Sequence, residues 1–426
     1  MHQQVSRPPA FRVPPLIKRN TALFAISQSF TGAGMQLAYG IGPLMVIALT
    51  GSAGLAGLSV GLIGLSRFLV AYPIGKITDT YGRKPGIQLG LALALAGAVI
   101  VGLSMQWRST AMLLGGILVF GMGMNAAQQL RVAATDMFPP HLRAQALGYV
   151  ALGSLLGLLI TPVMIAVSDR VAPGLGQDPL GLPWLMLPLL IVAGMVVVTY
   201  VRPDPKQIGM QLETYYPDYV RAPRSTSGPR AAFSVAGLLR NGPTRLAIAS
   251  NCAGHGNMSI VMVLTSLVLA HHGHSLTAIA FSHMFHSIGM FAFTIPFGRM
   301  ADRHGRGIVM YPGVATTIVG AGLVTFASGL IPVTLGTFLV GLGWAAANVA
   351  ATALIADYAE THERGRAIGV ADSFAGAISV AVAVATGPLI EWSGLAAAGW
   401  TAVLLAAIPL VMLAASRVRR RNGAEV

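Results

Sequence analysis

Long apolar runs alternate with short polar interruptions along the whole chain. Stretches of 18 or more predominantly apolar residues recur from end to end. A helix of about 20 such residues crosses a bilayer core of ~30 Å. The pattern predicts twelve spans, at 22–49, 53–75, 86–106, 111–135, 146–167, 182–201, 245–270, 276–297, 307–327, 331–356, 367–390 and 396–416. Membrane β-strands would instead show alternation over about ten residues at a time, and no such segments occur. The predicted class is therefore an all-α polytopic membrane protein. The longest polar interruption, 202–244, contains prolines, charges and "STSG" and reads as a linker. It divides the chain into six-helix bundles over 1–201 and 243–426, joined by 202–242. Within it, "AAFSVAGLLR" has the pattern of a short helix on the membrane surface.

Composition supports this class. Of 426 residues, 54% are hydrophobic and only 10% charged, and the mean hydropathy is +0.68. That is too little charge to cover a soluble surface. The net charge of +14 raises the question of nucleic acid, but location decides it. With alternating helices, 24 of the 28 Lys and Arg residues fall on one side, in the termini, the linker and every second loop. The other side holds only Arg108 and Arg170. This asymmetry predicts cytoplasmic termini and linker, in the plasma (inner) membrane of a bacterium, with the lipid bilayer and not nucleic acid as partner. The single cysteine, Cys252, forms no intrachain disulfide. The polar, proline-rich start has no cleavable signal pattern, so the first helix is expected to serve as its own signal.

The two halves repeat. "GKITDTYGRK" begins at Gly75 and "GRMADRHGRG" at Gly298. Gly75/Gly298, Asp79/Asp302, Gly82/Gly305 and Arg83/Arg306 are each 223 apart. "DMFPPHLRAQALG" begins at Asp136 and "DYAETHERGRAIG" at Asp357; Asp136/Asp357 and Arg143/Arg364 are each 221 apart. Two motifs recurring at nearly one offset, in matching loops, imply an internal duplication of a six-helix unit.

The pattern G-x-x-x-D-x-x-G-R-[RK] between helices 2 and 3, with its weaker copy between helices 8 and 9, resembles the signature loop of the major facilitator superfamily. The Asp…Arg…Gly segments after helices 4 and 10 are similar to that family's secondary signature. The resemblance covers essentially the whole chain. It implies two pseudo-symmetric bundles around a central cavity, alternating access, and a monomer without cofactor or catalysis. It also implies a gating role for Asp79, Arg83, Asp136, Arg143, Asp302, Arg306, Asp357 and Arg364. In the family such clusters clasp the bundles together on the cytoplasmic side. The chain departs from the drug exporters of the family. "LLGGILVFGMGMN" carries no mid-helix arginine, and in "GSLLGLLITPVM" Gly153 and Gly157 keep the exporter spacing while Pro162 is displaced.

Physically, Gly75 marks the exit of helix 2 and Gly82 permits a turn that most residues resist. Gly298 and Gly305 repeat both positions. Asp79 can accept backbone N–H groups at a nearby helix start or pair with Arg. Topology explains Lys76 and Lys84. It does not explain acids at equivalent places in both halves.

Inside the spans, Arg67 either holds an anionic substrate group or reaches an interface, carbonyl or acid. The same choice holds for Arg131, with the structural role ahead. Gln28, Gln36, Asn125, Gln128, Gln129 and Asn348 are candidates for cavity lining or helix packing. Six of the ten histidines fall within 32 residues. His271, His272 and His274 read as a solvated loop. His255, His283 and His286 are candidates for the cavity, for proton coupling or for structural hydrogen bonds. No metal set accompanies them. None of the fourteen acids lies mid-span; the nearest is Asp372 in helix 11, a further coupling candidate. Glycine pairs such as "GMGMNAAQ" follow no strand and make no nucleotide site.

The expected function is secondary transport of a small organic solute. Export of an amphipathic or hydrophobic solute comes first, with proton antiport, facilitation or solute exchange left open as the coupling. Uptake of a small organic anion through Arg67 and Arg131 comes second. A membrane sensor that transports nothing is the reading from another class.

Overall fold

A computed structural model describes residues 13–139, 142–217, 234–358 and 364–422. Among them every regular element is helical. The N-terminal half begins with α1 (Pro15–Gly40) and α2 (Gly42–Thr50), one span bent by 44°. Then come α3 (Leu58–Tyr81) and α4 (Arg83–Gln106). The fourth span is α5 (Thr110–Ala127) with α6 (Gln129–Asp136), and α7 (Arg143–Val171) and α8 (Leu182–Thr199) complete the half. Short helices α9 (Pro205–Met210), α10 (Leu212–Tyr215) and α11 (Val235–Arg240) lie in the linker. The C-terminal half has α12 (Gly242–His271), α13 (Leu276–Ala292) with α14 (Thr294–His304), α15 (Arg306–Phe326) and α16 (Leu330–Tyr358). It ends in α17 (Arg364–Asn422), which Gly394 (φ 80°) breaks into two spans.

Ten stretches are long and apolar enough to cross a membrane, and the bent α1–α2 pair adds an eleventh. Dividing α17 at Gly394 brings the number to twelve. The helix of the second span continues past Gly75: α3 runs on to Tyr81 and stops at Gly82 (φ 107°). Positive φ is strained for residues with a side chain, so the glycine that turns the chain is Gly82, and its repeat Gly305 (φ 101°) does the same.

The halves are built alike. In the first, α1 packs on α7 and α8, and α5 on α3 and α4; in the second, α12 packs on α16 and α17, and α15 on α16. The α4–α5 seam closes over Gly90, Gly97, Gly116 and Gly123, and the α15–α16 seam over Gly313, Gly320, Gly336 and Gly343. At each, an added Cβ would collide with the facing helix. Gly90/Gly313 and Gly97/Gly320 are 223 apart, and Gly116/Gly336 and Gly123/Gly343 are 220 apart. The duplication therefore reaches into the packing seams, where small residues let helices approach closely.

The start of the linker is docked on the first half. Ile208, Leu212 and Tyr216 are buried in that half's core beside Met137 and Phe138. The Tyr216 hydroxyl donates to the Met137 carbonyl at 3.3 Å. Burial pushes the Tyr216 phenol well above its ordinary value.

Candidate functional site

The signature loops gather at one end of the molecule, called here the basic end. In the first half, Arg83 Nε donates to Asp136 Oδ2 at 2.6 Å and Nη1 to Thr78 Oγ1 at 3.1 Å. In the second, Arg306 Nε donates to Asp357 Oδ2 at 2.9 Å, and Asp302 accepts from Nη1 of the same guanidinium. Each pair ties the start of one span to the end of the next span, inside its own half. The first is the more enclosed, with side-chain exposures of 17% and 24% against 22% and 47%. The side chains of Asp79, Arg143 and Arg364 lie outside the described residues. A residue that sequence reasoning passed over joins the first cluster. Asp204 accepts the backbone N–H groups of Arg83 and Lys84 (3.1 and 2.9 Å) and of Lys206 (2.9 Å). One linker carboxylate thus caps both α4 and α9. Gly75 and Gly298 sit within helices, with no close neighbour for an added Cβ.

The two halves meet mostly toward the far end. Gly54, Gly57, Gly61 and Gly64 of the second span lie on one helix face, against Val380, Ala383, Val384 and Gly387 of α17. A Cβ at Gly57 would collide with the Ala383 carbonyl oxygen. Beside this seam, Ser266 Oγ donates to the Gly40 carbonyl (2.7 Å) and meets His283 Nε2 (2.9 Å). Ser266 has one proton and the carbonyl can only accept, so His283 Nε2 is the donor in that second bond. Ser287 donates to Gln36 Oε1 at 2.9 Å, and Thr277 to Asp169 Oδ2 at 3.2 Å. His286 Nδ1 lies 2.9 Å from the Thr337 carbonyl. His283 and His286, both buried, are thus part of the far-end packing.

Between the halves, short of this seal, lies a second polar group. Arg67 is fourteen residues from the basic end of α3, about 21 Å along it. Its neighbours Ile63 and Ser66 face Gly121 of α5, and Gly64 faces α17, so Arg67 points between those two helices. It is exposed and has no hydrogen-bond or ion-pair partner among the described residues. Its charge reaches Tyr39 of α1 and His255 of α12. His255 Nδ1 donates to the Asn251 carbonyl at 3.0 Å, and its ring meets Trp344 edge-on at 5.2 Å. Asn251 Nδ2 donates to Asp372 Oδ1 at 3.3 Å. Asp372 is exposed and, like Arg67, acts electrostatically on His255.

The remaining candidates separate. Arg131 donates to Ser154 Oγ (3.2 Å) and lies 5.6 Å from the Phe291 ring centroid of the other half. Asn125 donates to Ser66 Oγ (3.0 Å) and the Gly121 carbonyl (2.9 Å), so it ties α5 to α3. Gln28 is buried in α1; Gln128 and Gln129 stand at the α5–α6 break, and Asn348 is half-buried in α16. Sequence reasoning had not singled out Tyr39, Asn251, Trp344 or the glycine face of the second span. That face was legible as the spacing Gly54, Gly57, Gly61, Gly64. No group of His, Cys, Asp or Glu able to hold a metal occurs among the described residues.

Residues 24–241 and 246–425 match the Major Facilitator Superfamily. The chain belongs to this superfamily. It is 26% identical over 402 residues to the MFS-type transporter YdeG of Bacillus subtilis, covering 92% of this chain and 89% of the relative. It is also 26% identical over 413 residues to the riboflavin transporter RfnT of Brucella anthropi, covering 93% and 95%. Among solved structures, the nucleoside transporter NupG superposes with a TM-score of 0.68 at 11% identity, covering 94% and 98%. The D-xylose–proton symporter gives 0.64 at 13%, covering 92% and 95%. The protein is thus an integral membrane transporter of small molecules with the twelve-helix, two-bundle fold of its family.

Proposed function

We propose that the protein carries a small organic acid by alternating access, with Arg67 holding the acidic group. The observation behind this reading is an arginine in mid-span that faces the opposite half and has no partner among the described residues. A guanidinium at that depth is costly unless water or a ligand solvates it. Its position favours the organic-anion reading over the amphipathic-exporter reading. Arg131 supports the same wall from the fourth span, between Ser154 and the Phe291 ring. The basic end faces the cytoplasm and both termini lie there. In this scheme the far-end contacts between the halves are those of an inward-facing state.

The halves rock about the middle of the molecule. In the outward-open state the far-end glycine seam separates, and the Arg83–Asp136 and Arg306–Asp357 clusters approach each other to close the basic end. Asp372 and His255 are the coupling residues of this scheme, because they adjoin the solute. The test is flux into proteoliposomes with and without a pH gradient, over a panel of organic acids, with riboflavin, the solute named for one relative, as the uncharged comparison. Arg67→Gln is expected to lower acid flux at least about tenfold with unchanged reconstitution. Equal flux by the variant would remove the reading.

A further inference from the structure

The two walls of the site differ in hydrogen-bonding character. The first-half wall presents Arg67, a cation with donors only. Across from it, the second-half wall is composed mainly of acceptors. Asn251 is 3% exposed, its NH2 group donates to Asp372, and its Oδ1 is buried without a partner. His255 spends Nδ1–H on the Asn251 carbonyl, which fixes the tautomer and leaves Nε2 a bare acceptor. Asp372 adds an exposed carboxylate, hydrogen-bonded to Asn251. Trp344 packs against His255 and supplies an indole beside these acceptors; its Nε1–H is also unpartnered.

A carboxylate, an amide oxygen and a bare imidazole nitrogen beside an aromatic ring make an environment for an ammonium or similar donor-rich nitrogen. A simple organic anion would satisfy Arg67 and leave those acceptors empty, with the Asp372 charge repelling it. Phe68, next to Arg67, packs against Gly376, one helical turn from Asp372 on α17, so the two subsites lie within reach of one small molecule.

Resting on the reading that Arg67 holds an acidic group, we infer that the transported solute is a zwitterion. Its acid lies on Arg67 and its protonated nitrogen on Asp372, Asn251 and His255, with the body of the solute against Trp344. Such a solute contacts both halves at once. Its binding therefore favours the state in which they close around it, which a ligand held by one wall would not do.

The test uses the full-length protein in detergent and three matched probes: L-phenylalanine, N-acetyl-L-phenylalanine, which keeps only the acid, and L-phenylalaninamide, which keeps only the ammonium. Apparent affinities are read from thermal stabilisation. The zwitterion is expected to bind at least about tenfold more tightly than either single-charge probe. Asp372→Asn should abolish its advantage over the N-acetyl form, and Arg67→Gln its advantage over the amide. Asp372→Glu keeps the charge and should keep the ranking, which separates loss of the subsite from loss of the fold. The inference is overturned if no probe binds, if the N-acetyl form binds as tightly as the zwitterion, or if Asp372→Asn leaves the ranking intact. Tight, Arg67-dependent binding of the N-acetyl form would remove the zwitterion and leave the organic-acid reading standing. Binding of every probe indifferent to Arg67 would remove both.

Discussion

The two ends of the molecule are held by different chemistry. At the basic end, charged side chains join helices within each half: Arg83 to Asp136, Arg306 to Asp357. At the far end, glycines, small side chains and single hydrogen bonds join one half to the other, as between Gly57 and Ala383 or Ser266 and Gly40. The motifs that identify the family therefore brace each half in this state, while the contact that closes the molecule carries no motif. A contact that must form and break in each cycle is well served by close van der Waals packing. It desolvates no charge on closing, whereas a buried ion pair does.

Gly57→Leu tests this division most severely. The Ala383 carbonyl occupies the space a side chain needs, so the far end should not seal. Overpacking costs about 1–3 kcal/mol, enough to shift a two-state population about 5- to 150-fold. Flux should fall by about tenfold or more, and a cysteine placed at Ser52 should label faster with an impermeant maleimide. Unchanged labelling would show that the glycine seam is not the seal.

The basic end should respond in stability first. Arg83→Gln leaves Asp136 partly enclosed without its pair and should cost about 2 kcal/mol. Arg306→Gln, in the more exposed copy, should cost less than about 1 kcal/mol. Melting in detergent reads both, and equal losses would erase the asymmetry between the copies. Asp204→Ala removes the cap shared by α4 and α9 and should cost about 1 kcal/mol, with faster proteolysis of the linker. The smallest effect belongs to Glu391→Gln. Its contact with Ser52, 3.3 Å at an exposed position, is worth less than about 0.5 kcal/mol, and flux should stay within about twofold. A large loss there would mean that polar contacts, and not the glycines, hold the far end.

Much of this architecture was legible along the chain. The spans and the duplication were read directly, and the pairs Arg83–Asp136 and Arg306–Asp357 join positions that the repeats had already marked. Those pairs connect neighbouring loops, so their geometry follows from helix order. The docking of Asp204 and Tyr216 was hidden because polar, proline-rich sequence looks like linker whether or not its few apolar residues find a core. Asn125 illustrates the same limit. A polar residue inside a span reads alike whether it faces a cavity or, as here, bonds to Ser66 and Gly121 of its own half.

The sequence by itself determined the class, the twelve spans, the two-fold repeat and the family, because apolar run length and recurring motifs are properties of one dimension. It also showed that a charge sits deep in the second span. Only the tertiary structure decided what that charge faces. Arg67, Asn251, His255, Trp344 and Asp372 come from four spans in two halves, up to 305 positions apart. Which wall offers donors and which acceptors depends on the partners each side chain has already taken. Those partners are chosen when the helices pack, not when the chain is written.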